Sequence, residues 1–199
     1  MSYPIERAHY LLSAHNAQQL PSDDAREVAF AGRSNAGKST ALNALTRQNA
    51  LARVSKVPGR TQQLNYFQVQ PKRYLVDLPG YGYARVPQSL QLHWQTFLST
   101  FFATRRSLCG LVLLMDIRHP LKKEDMAMLA YAHAGQLPVH IVLTKADKLG
   151  RGQQCAVLQK MRTQLKTILP DQERIQVFSG ATRLGVDTLR EVVNAWLDL

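Results

Sequence analysis

Eight residues, Gly32-Arg33-Ser34-Asn35-Ala36-Gly37-Lys38-Ser39, fit the spacing G-x-x-x-x-G-K-[ST] and lie between the apolar run "EVAFA" and the alternating "TALNAL". A strand, a glycine-bearing loop and a helix in that order make a cradle for phosphates. The glycines let the backbone curl so that successive N–H groups point inward, and the helix N-terminus adds its partial positive charge. In such a loop Lys38 reaches the β- and γ-phosphates of a nucleoside triphosphate, and the Ser39 hydroxyl ligates Mg2+.

A phosphate cradle does not select a base. Thr144-Lys145-Ala146-Asp147 follows the apolar "VHIVL" and fits [NT]-K-x-D. A carboxylate at Asp147 accepts from guanine N1–H and from its exocyclic amine. Adenine offers no such donor pair, so the wrong base would leave a buried charge unpaired. Lys145 would lie along the base plane with its alkyl stem. Phe178-Ser179-Gly180 ends a further strand and is a candidate contact for the guanine edge.

Two more segments bear on the third phosphate. Asp77-Leu78-Pro79-Gly80 fits D-x-x-G at a strand end, which places Asp77 to hold Mg2+ through water and the Gly80 N–H near the γ-phosphate. The stretch from Thr46 to Gln62 has no clear period and carries a Pro58-Gly59 turn signal. Within it Thr61 is the natural second direct Mg2+ ligand, with Gly59, Arg60, Gln62 and Gln63 flanking it near the nucleotide. Both segments would order when the third phosphate is present and relax when it leaves.

The positions of these motifs require particular elements. The "EVAFAG" strand is followed by a helix from Lys38, then by "LNYFQVQ" and "RYLVDLPG" as a hairpin around Pro71-Lys72. A helical region covers about Ser89 to Thr104, and "LCGLVLLMD" and "VHIVLTKAD" are apolar without alternation, as strands covered on both faces should be. Pro120 suits the first turn of the helix between them, with Gly135 as its stop. A helix from about Gln153 to Leu169, the strand "RIQVFSG" and a last helix from Val186 to Leu197 complete the chain. Strands separated by helices demand a mostly parallel sheet with helices on both faces, whose ligands bind at the carboxyl ends of the strands. Residues 1–24 read as a preamble and 25–199 as one domain.

Composition narrows the rest. Apolar residues make up 45% of the chain and charged ones 20%. No apolar run nears the roughly 18 residues of a membrane span. The start, "MSYPIERAHYLL", lacks the pattern of a secretory signal, so a cytoplasmic location is expected, without membrane insertion. Cys109 and Cys155 read as two buried free thiols, and the six histidines show no zinc spacing. The formal net charge is +11, and between Glu27 and Asp116 the only acid is Asp77 against eleven Lys or Arg. Such a field draws polyanions. Arg105-Arg106, Lys72-Arg73, Arg53 and Lys56, with Tyr81 and Tyr83, are candidate contacts to RNA phosphates and bases.

Taken together, "AFAGRSNAGKSTALNAL", "PGRTQQLNYF", "LVDLPGYGYA", "MDIRHPLKKED", "VLTKAD" and "FSG" resemble the EngB family (also called YihA or YsxC) of translation-factor-like GTPases over roughly residues 25–190. The resemblance implies an α/β, three-layer Ras-like P-loop GTPase domain whose mostly parallel sheet has one antiparallel edge strand. It implies a monomer that binds GTP and GDP with Mg2+, acts on the large ribosomal subunit precursor and its rRNA, and affects division and septation. Lys38, Thr61, Gly80 and Asn35 are then the candidate catalytic set. Asn35 is a candidate K+ ligand, since similar GTPases with Asn at this loop position use its amide oxygen so; an asparagine that merely closes the loop is the alternative. The chain departs from relatives at Gly180, where Ser or Ala is frequent.

Phosphoryl transfer needs charge neutralisation and an aligned water. The residue after D-x-x-G, often a water-orienting Gln, is Tyr81 here, so slow intrinsic turnover raised by a partner is expected. Two other readings stand beside the hydrolysing switch: a nucleotide-gated RNA-binding module with negligible catalysis, and a metabolic P-loop kinase, against which "TKAD" argues.

Overall fold

Apolar runs without alternation need cover on both faces, and helix layers on either side of a central sheet supply it. The computed structural model describes residues 3–52, 63–82, 88–166 and 174–199, with 88–94 described through their backbone. In chain order the elements are β1 (His9–Ala14), β2 (Arg26–Gly32), α1 (Lys38–Thr46), β3 (Leu64–Gln70), β4 (Arg73–Asp77) and α2 (Gln88–Thr104). There follow β5 (Leu108–Asp116), α3 (Lys123–Ala134), β6 (Val139–Thr144), α4 (Arg151–Leu165), β7 (Ile175–Val177) and α5 (Val186–Leu197).

The seven strands run in the order β1-β3-β4-β2-β5-β6-β7. Pairing is parallel from β4 through β2, β5 and β6 to β7. Among the described residues the single reversed strand, β3, belongs to one margin of the sheet, where β4 pairs on its inner side and β1 on its outer side. This is the mostly parallel sheet, reversed at one margin, that the spacing of the elements demands.

Strand β5 shows why both faces must be covered. Leu111, Leu113 and Met115 enter one core layer with Phe101 and Phe102 of α2, Met128 and Leu129 of α3, and Met161 and Leu165 of α4. Val112 and Leu114 enter the other, with Leu42 and Leu45 of α1 and Leu189, Val193 and Leu197 of α5. Alternate side chains of one strand thus hold opposite helix layers, which fixes the strand register that aims its carboxyl end at the site.

Three local expectations change. Residues 9–14, read as part of a preamble, form β1, an edge strand whose Tyr10 and Leu11 are exposed and which therefore lacks a clean buried face. Ahead of it Ile5 is buried, and Gln48 Nε2 donates to the carbonyls of Glu6 and Ala8 at 2.9 and 2.7 Å, which fastens this segment to the end of α1. Pro120 does not open α3. Leu121 takes a left-handed φ of 56° after it, and the helix begins at Lys123, where the Lys122 N–H donates to the Asp125 carboxylate at 3.0 Å. Neither thiol is fully buried: Cys155 is exposed on α4 and Cys109 is half-buried on β5, while Ile168, expected on α4, lies outside the described residues.

At the amino-terminal edge of the parallel strands, Arg105 donates to the carboxylate of Glu27 and to the carbonyl of Pro21, while Tyr66 Oη donates to Glu27 Oε2 at 3.2 Å. Glu27 is fully buried and Arg105 nearly so. Burial pushes the Glu27 carboxyl up, and the Arg105 guanidinium opposes it.

Candidate nucleotide-binding site

The loops that leave the carboxyl ends of β2, β4, β6 and β7 are tied to one another by backbone hydrogen bonds. Leu78 N–H donates to Phe30 O at 3.0 Å, Ser34 N–H to Tyr81 O at 2.9 Å, and Tyr81 N–H to Gly32 O at 3.4 Å. On the other side Phe178 N–H donates to Leu143 O at 2.8 Å and Ala146 N–H to Phe178 O at 3.0 Å. Four motifs far apart in the chain therefore share one rim of the sheet. Leu78, Ala36, Ala146 and Phe178 are buried and anchor their loops, and the polar motif members Asp77, Thr144 and Ser179 are buried beside them.

The phosphate loop has the curled backbone that its spacing demands. Gly37, at φ 89°, precedes the first residue of α1, and only glycine takes that conformation without strain. Asn35 is also left-handed, at φ 62°, a position that asparagine tolerates better than most residues. Lys38 Nζ, from the first turn of α1, pairs with the Asp77 carboxylate at the end of β4. Ser39 follows on the same turn. A hydroxyl and a carboxylate of this hard-oxygen chemistry suit Mg2+, and the Lys38 ammonium already occupies Asp77 as a cation would.

The second half of the site is equally ordered. Thr144 Oγ1 donates to Ala36 O at 2.6 Å and lies 3.1 Å from Met115 O. Lys145 sits at a left-handed φ of 58°, with Nζ 3.0 Å from Asp116 Oδ2. Arg118 Nη2 donates to the same carboxylate oxygen at 2.6 Å, and this guanidinium, with Lys145, holds the Asp116 carboxyl well below the usual carboxylate range. Ser179 Oγ donates to Asp147 Oδ1 at 2.6 Å and lowers that carboxyl's pKa, which keeps Asp147 ionised as an acceptor.

Sequence reasoning did not give roles to Asp116, Arg118 or Asp125. The first two steady Lys145. Asp125 receives the Tyr81 hydroxyl at 2.9 Å, so the side chain after D-x-x-G is tethered to α3. Burial pushes both the Tyr81 phenol and the Asp125 carboxyl up. A signal for Asp116 was present, because an acid ending a fully apolar strand is conspicuous. The Tyr81–Asp125 contact has no sequence signature.

Of the remaining candidates, Gln63 contacts His15 through its side chain. Gly59, Arg60, Thr61 and Gln62 lie outside the described residues, as do Arg53, Lys56 and Tyr83. The RNA-contact expectation fails at Arg105, whose guanidinium is committed to Glu27, and at Tyr81, whose half-buried ring is held by Asp125. Lys72 pairs with Asp24, Arg73 lies 3.5 Å from Asp198, and Arg106 is exposed.

A family model described as 50S ribosome-binding GTPase matches residues 27–145. The chain is 65% identical over 199 residues to the probable GTP-binding protein EngB of Xanthomonas euvesicatoria pv. vesicatoria, covering all of this chain and 96% of that one. The chain belongs to the EngB family of GTP-binding proteins. Its EngB relative in Xylella fastidiosa is 65% identical over 199 residues, covering all of this chain and 98% of the relative. A crystal structure of a probable EngB superposes with a TM-score of 0.70 at 19% identity, covering 86% of this chain and 98% of that one, and so shares the EngB fold. The matched family segment contains the phosphate loop, Asp77–Gly80 and Thr144-Lys145. Asp147 and Phe178–Gly180 lie past it, in the stretch that the full-length EngB relatives cover. Among the described residues no helix is long and apolar enough to cross a membrane.

Proposed function

We propose that this GTPase-family chain is a cytoplasmic, monomeric switch that binds and slowly hydrolyses GTP during assembly of the large ribosomal subunit, with consequences for division and septation. The observation that carries the reading is the bond from Thr144 to the Ala36 carbonyl, which unites the phosphate loop and the base motif in one site. The backbone amides of Gly32–Ser39 cradle the phosphates and Lys38 neutralises the β- and γ-phosphates. Ser39 and Asp77 would hold Mg2+, the latter through water, and the metal would supply charge neutralisation on the phosphate oxygens. The Gly80 N–H faces the third phosphate, with Thr61 as a further Mg2+ ligand and Gly59, Arg60, Gln62 and Gln63 beside it. Asp147 reads the guanine N1–H and amine, Lys145 lies along the ring with Thr144 and Ala146 setting its height, and Phe178–Gly180 borders the purine edge. Asn35 is the K+ candidate, and equal hydrolysis in KCl and NaCl with ribosomal particles present would remove that role.

The family model's description and the formal net charge of +11 support a large-subunit partner. Calorimetry on the Mg2+-replete protein tests the core of the reading: heat with GTP and GDP, none with ATP, and a shift toward xanthosine nucleotides in Asp147→Asn. Absence of heat with either guanine nucleotide sinks it. Co-sedimentation with large-subunit particles in a GTP analogue, but not in GDP, tests the partner.

A second reading, a nucleotide-gated binding module with negligible catalysis, is favoured by the Tyr81–Asp125 bond, which takes the side chain after D-x-x-G away from any water-orienting task. Multiple-turnover phosphate release with and without ribosomal particles separates the two. Turnover at tens per second by the protein alone would contradict both.

A further inference from the structure

Gly180 lies in the loop after β7, against the first turn of α1. A Cβ built on it would fall 2.4 Å from Thr40 Cγ2, with Thr40 Cβ at 3.7 Å and the Thr40 carbonyl oxygen at 3.8 Å. Its φ is outside the left-handed region, so it is room and not conformation that calls for glycine here. Turning Thr40 about χ1 clears the space only by aiming its hydrogen at the loop, and a helical threonine has few staggered wells to choose from. Nor is the loop free to retreat. Ser179 N–H donates to Leu184 O at 3.0 Å, while Ser179 Oγ donates to Asp147 at 2.6 Å and accepts from Thr182 N–H at 3.3 Å. Gly180 is half-buried, and its N–H makes no bond to a backbone acceptor among the described residues.

We infer that the Thr40 methyl and the missing Cβ of Gly180 are a matched pair that sets how closely the purine-edge loop rests on the phosphate-side helix, making Thr40 a positioning residue for the base end of a bound guanine nucleotide. This couples the two halves of the site through Thr40, a residue outside every motif. A side chain at 180 would lift the loop, displace the 180 amide from the purine 6-position and disturb the Ser179–Asp147 bond.

The inference rests on the guanine-nucleotide reading, and its test keeps the two apart. Dissociation of a fluorescent GDP is measured by stopped flow on the full chain with Mg2+, for wild type, Gly180→Ala, Thr40→Ser, and Gly180→Ala combined with Thr40→Ser or with Thr40→Val. Serine removes only the methyl, whereas valine keeps it. Overpacking by one methyl should speed release from Gly180→Ala by about tenfold. Thr40→Ser should bring the double variant back to within about threefold of wild type, and Thr40→Val should not, the signature of two coupled neighbours. The preference for GDP over 6-thio-GDP, which changes only the 6-position, should narrow in Gly180→Ala and recover with Thr40→Ser, a readout that mere loosening of the fold would not move.

Wild-type protein that binds no guanine nucleotide defeats the reading beneath. Wild-type binding with Gly180→Ala within about twofold of it, or a defect that Thr40→Ser leaves in place, overturns the matched pair alone. If Gly180→Ala fails to fold, recovery by Thr40→Ser supports the pair, and failure of that double variant as well overturns it.

Discussion

Thr144 Oγ1 donates a 2.6 Å hydrogen bond to the carbonyl oxygen of Ala36, across 108 residues of chain. Both residues are buried, and the bond fastens the last turn of the phosphate loop to the strand that presents the base motif. Valine at 144 would keep the shape of the side chain and leave that carbonyl without this donor. Thr144→Val should lower stability by about 1–2 kcal/mol, the cost of a buried polar group left unpaired. A urea midpoint equal to that of wild type, with an equal slope, would show that the loop holds itself.

The Lys38–Asp77 pair implies an exchange of partners. With nucleotide and Mg2+ bound, Lys38 would turn to the phosphates and Asp77 would be freed to help hold the metal. Asp77→Asn should therefore weaken the dependence of GTP binding on Mg2+ by about ten- to hundredfold, as loss of an outer-sphere carboxylate does elsewhere. Titrating GTP with Mg2+ present and chelated measures this. An unchanged ratio between the two conditions would remove Asp77 from the metal's surroundings.

The helices and the central strands were legible because β2, β5 and β6 are long apolar runs, and α5 matches its expected bounds at Val186 and Leu197. The motifs were legible because phosphate chemistry constrains spacing within one loop. What escaped depends on contacts between distant segments. Strand β1 has too little burial to show a pattern, and its pairing with β3 is decided by the partner. Arg105 looks like any exposed arginine until Glu27, on another element, is placed beside it. Thr40 carries no motif at all, and its importance appears only when the loop at Gly180 is folded over it.

Arg105 and Glu27 make a prediction away from the site. Removing the cation leaves a fully buried carboxyl with the Tyr66 hydroxyl for company. Arg105→Met should cost about 3 kcal/mol, whereas Arg105→Met with Glu27→Leu should recover most of it, since an apolar pair needs no counter-charge. Without its partner Glu27 has a folded pKa raised further above the unfolded value by burial, so the deficit should shrink as the pH falls and the carboxyl takes up a proton. Urea titrations at neutral and mildly acidic pH would follow it, and a deficit independent of pH would mean that packing of the arginine stem, not its charge, is what was lost.

His140 sets the pH dependence expected near neutrality. It is buried in β6, and its Nε2–H donates to Gln176 Oε1 at 2.7 Å. Burial holds its pKa below the ordinary histidine value, with Arg174 acting in the same direction and the Gln176 bond opposing them. The folded protein therefore keeps this ring neutral over a range in which the unfolded chain binds a proton. Stability from this group is complete above the unfolded pKa, about 6.5, and is lost as the pH falls below it toward the depressed folded value. The slope there should approach about 1.4 kcal/mol per pH unit from one proton. Chemical denaturation of wild type and His140→Gln across pH 5 to 8 isolates it: the variant starts lower, because the ring's packing is gone, but its stability should fall less steeply between neutral and mildly acidic pH. Parallel curves for the two proteins would assign the acid sensitivity elsewhere.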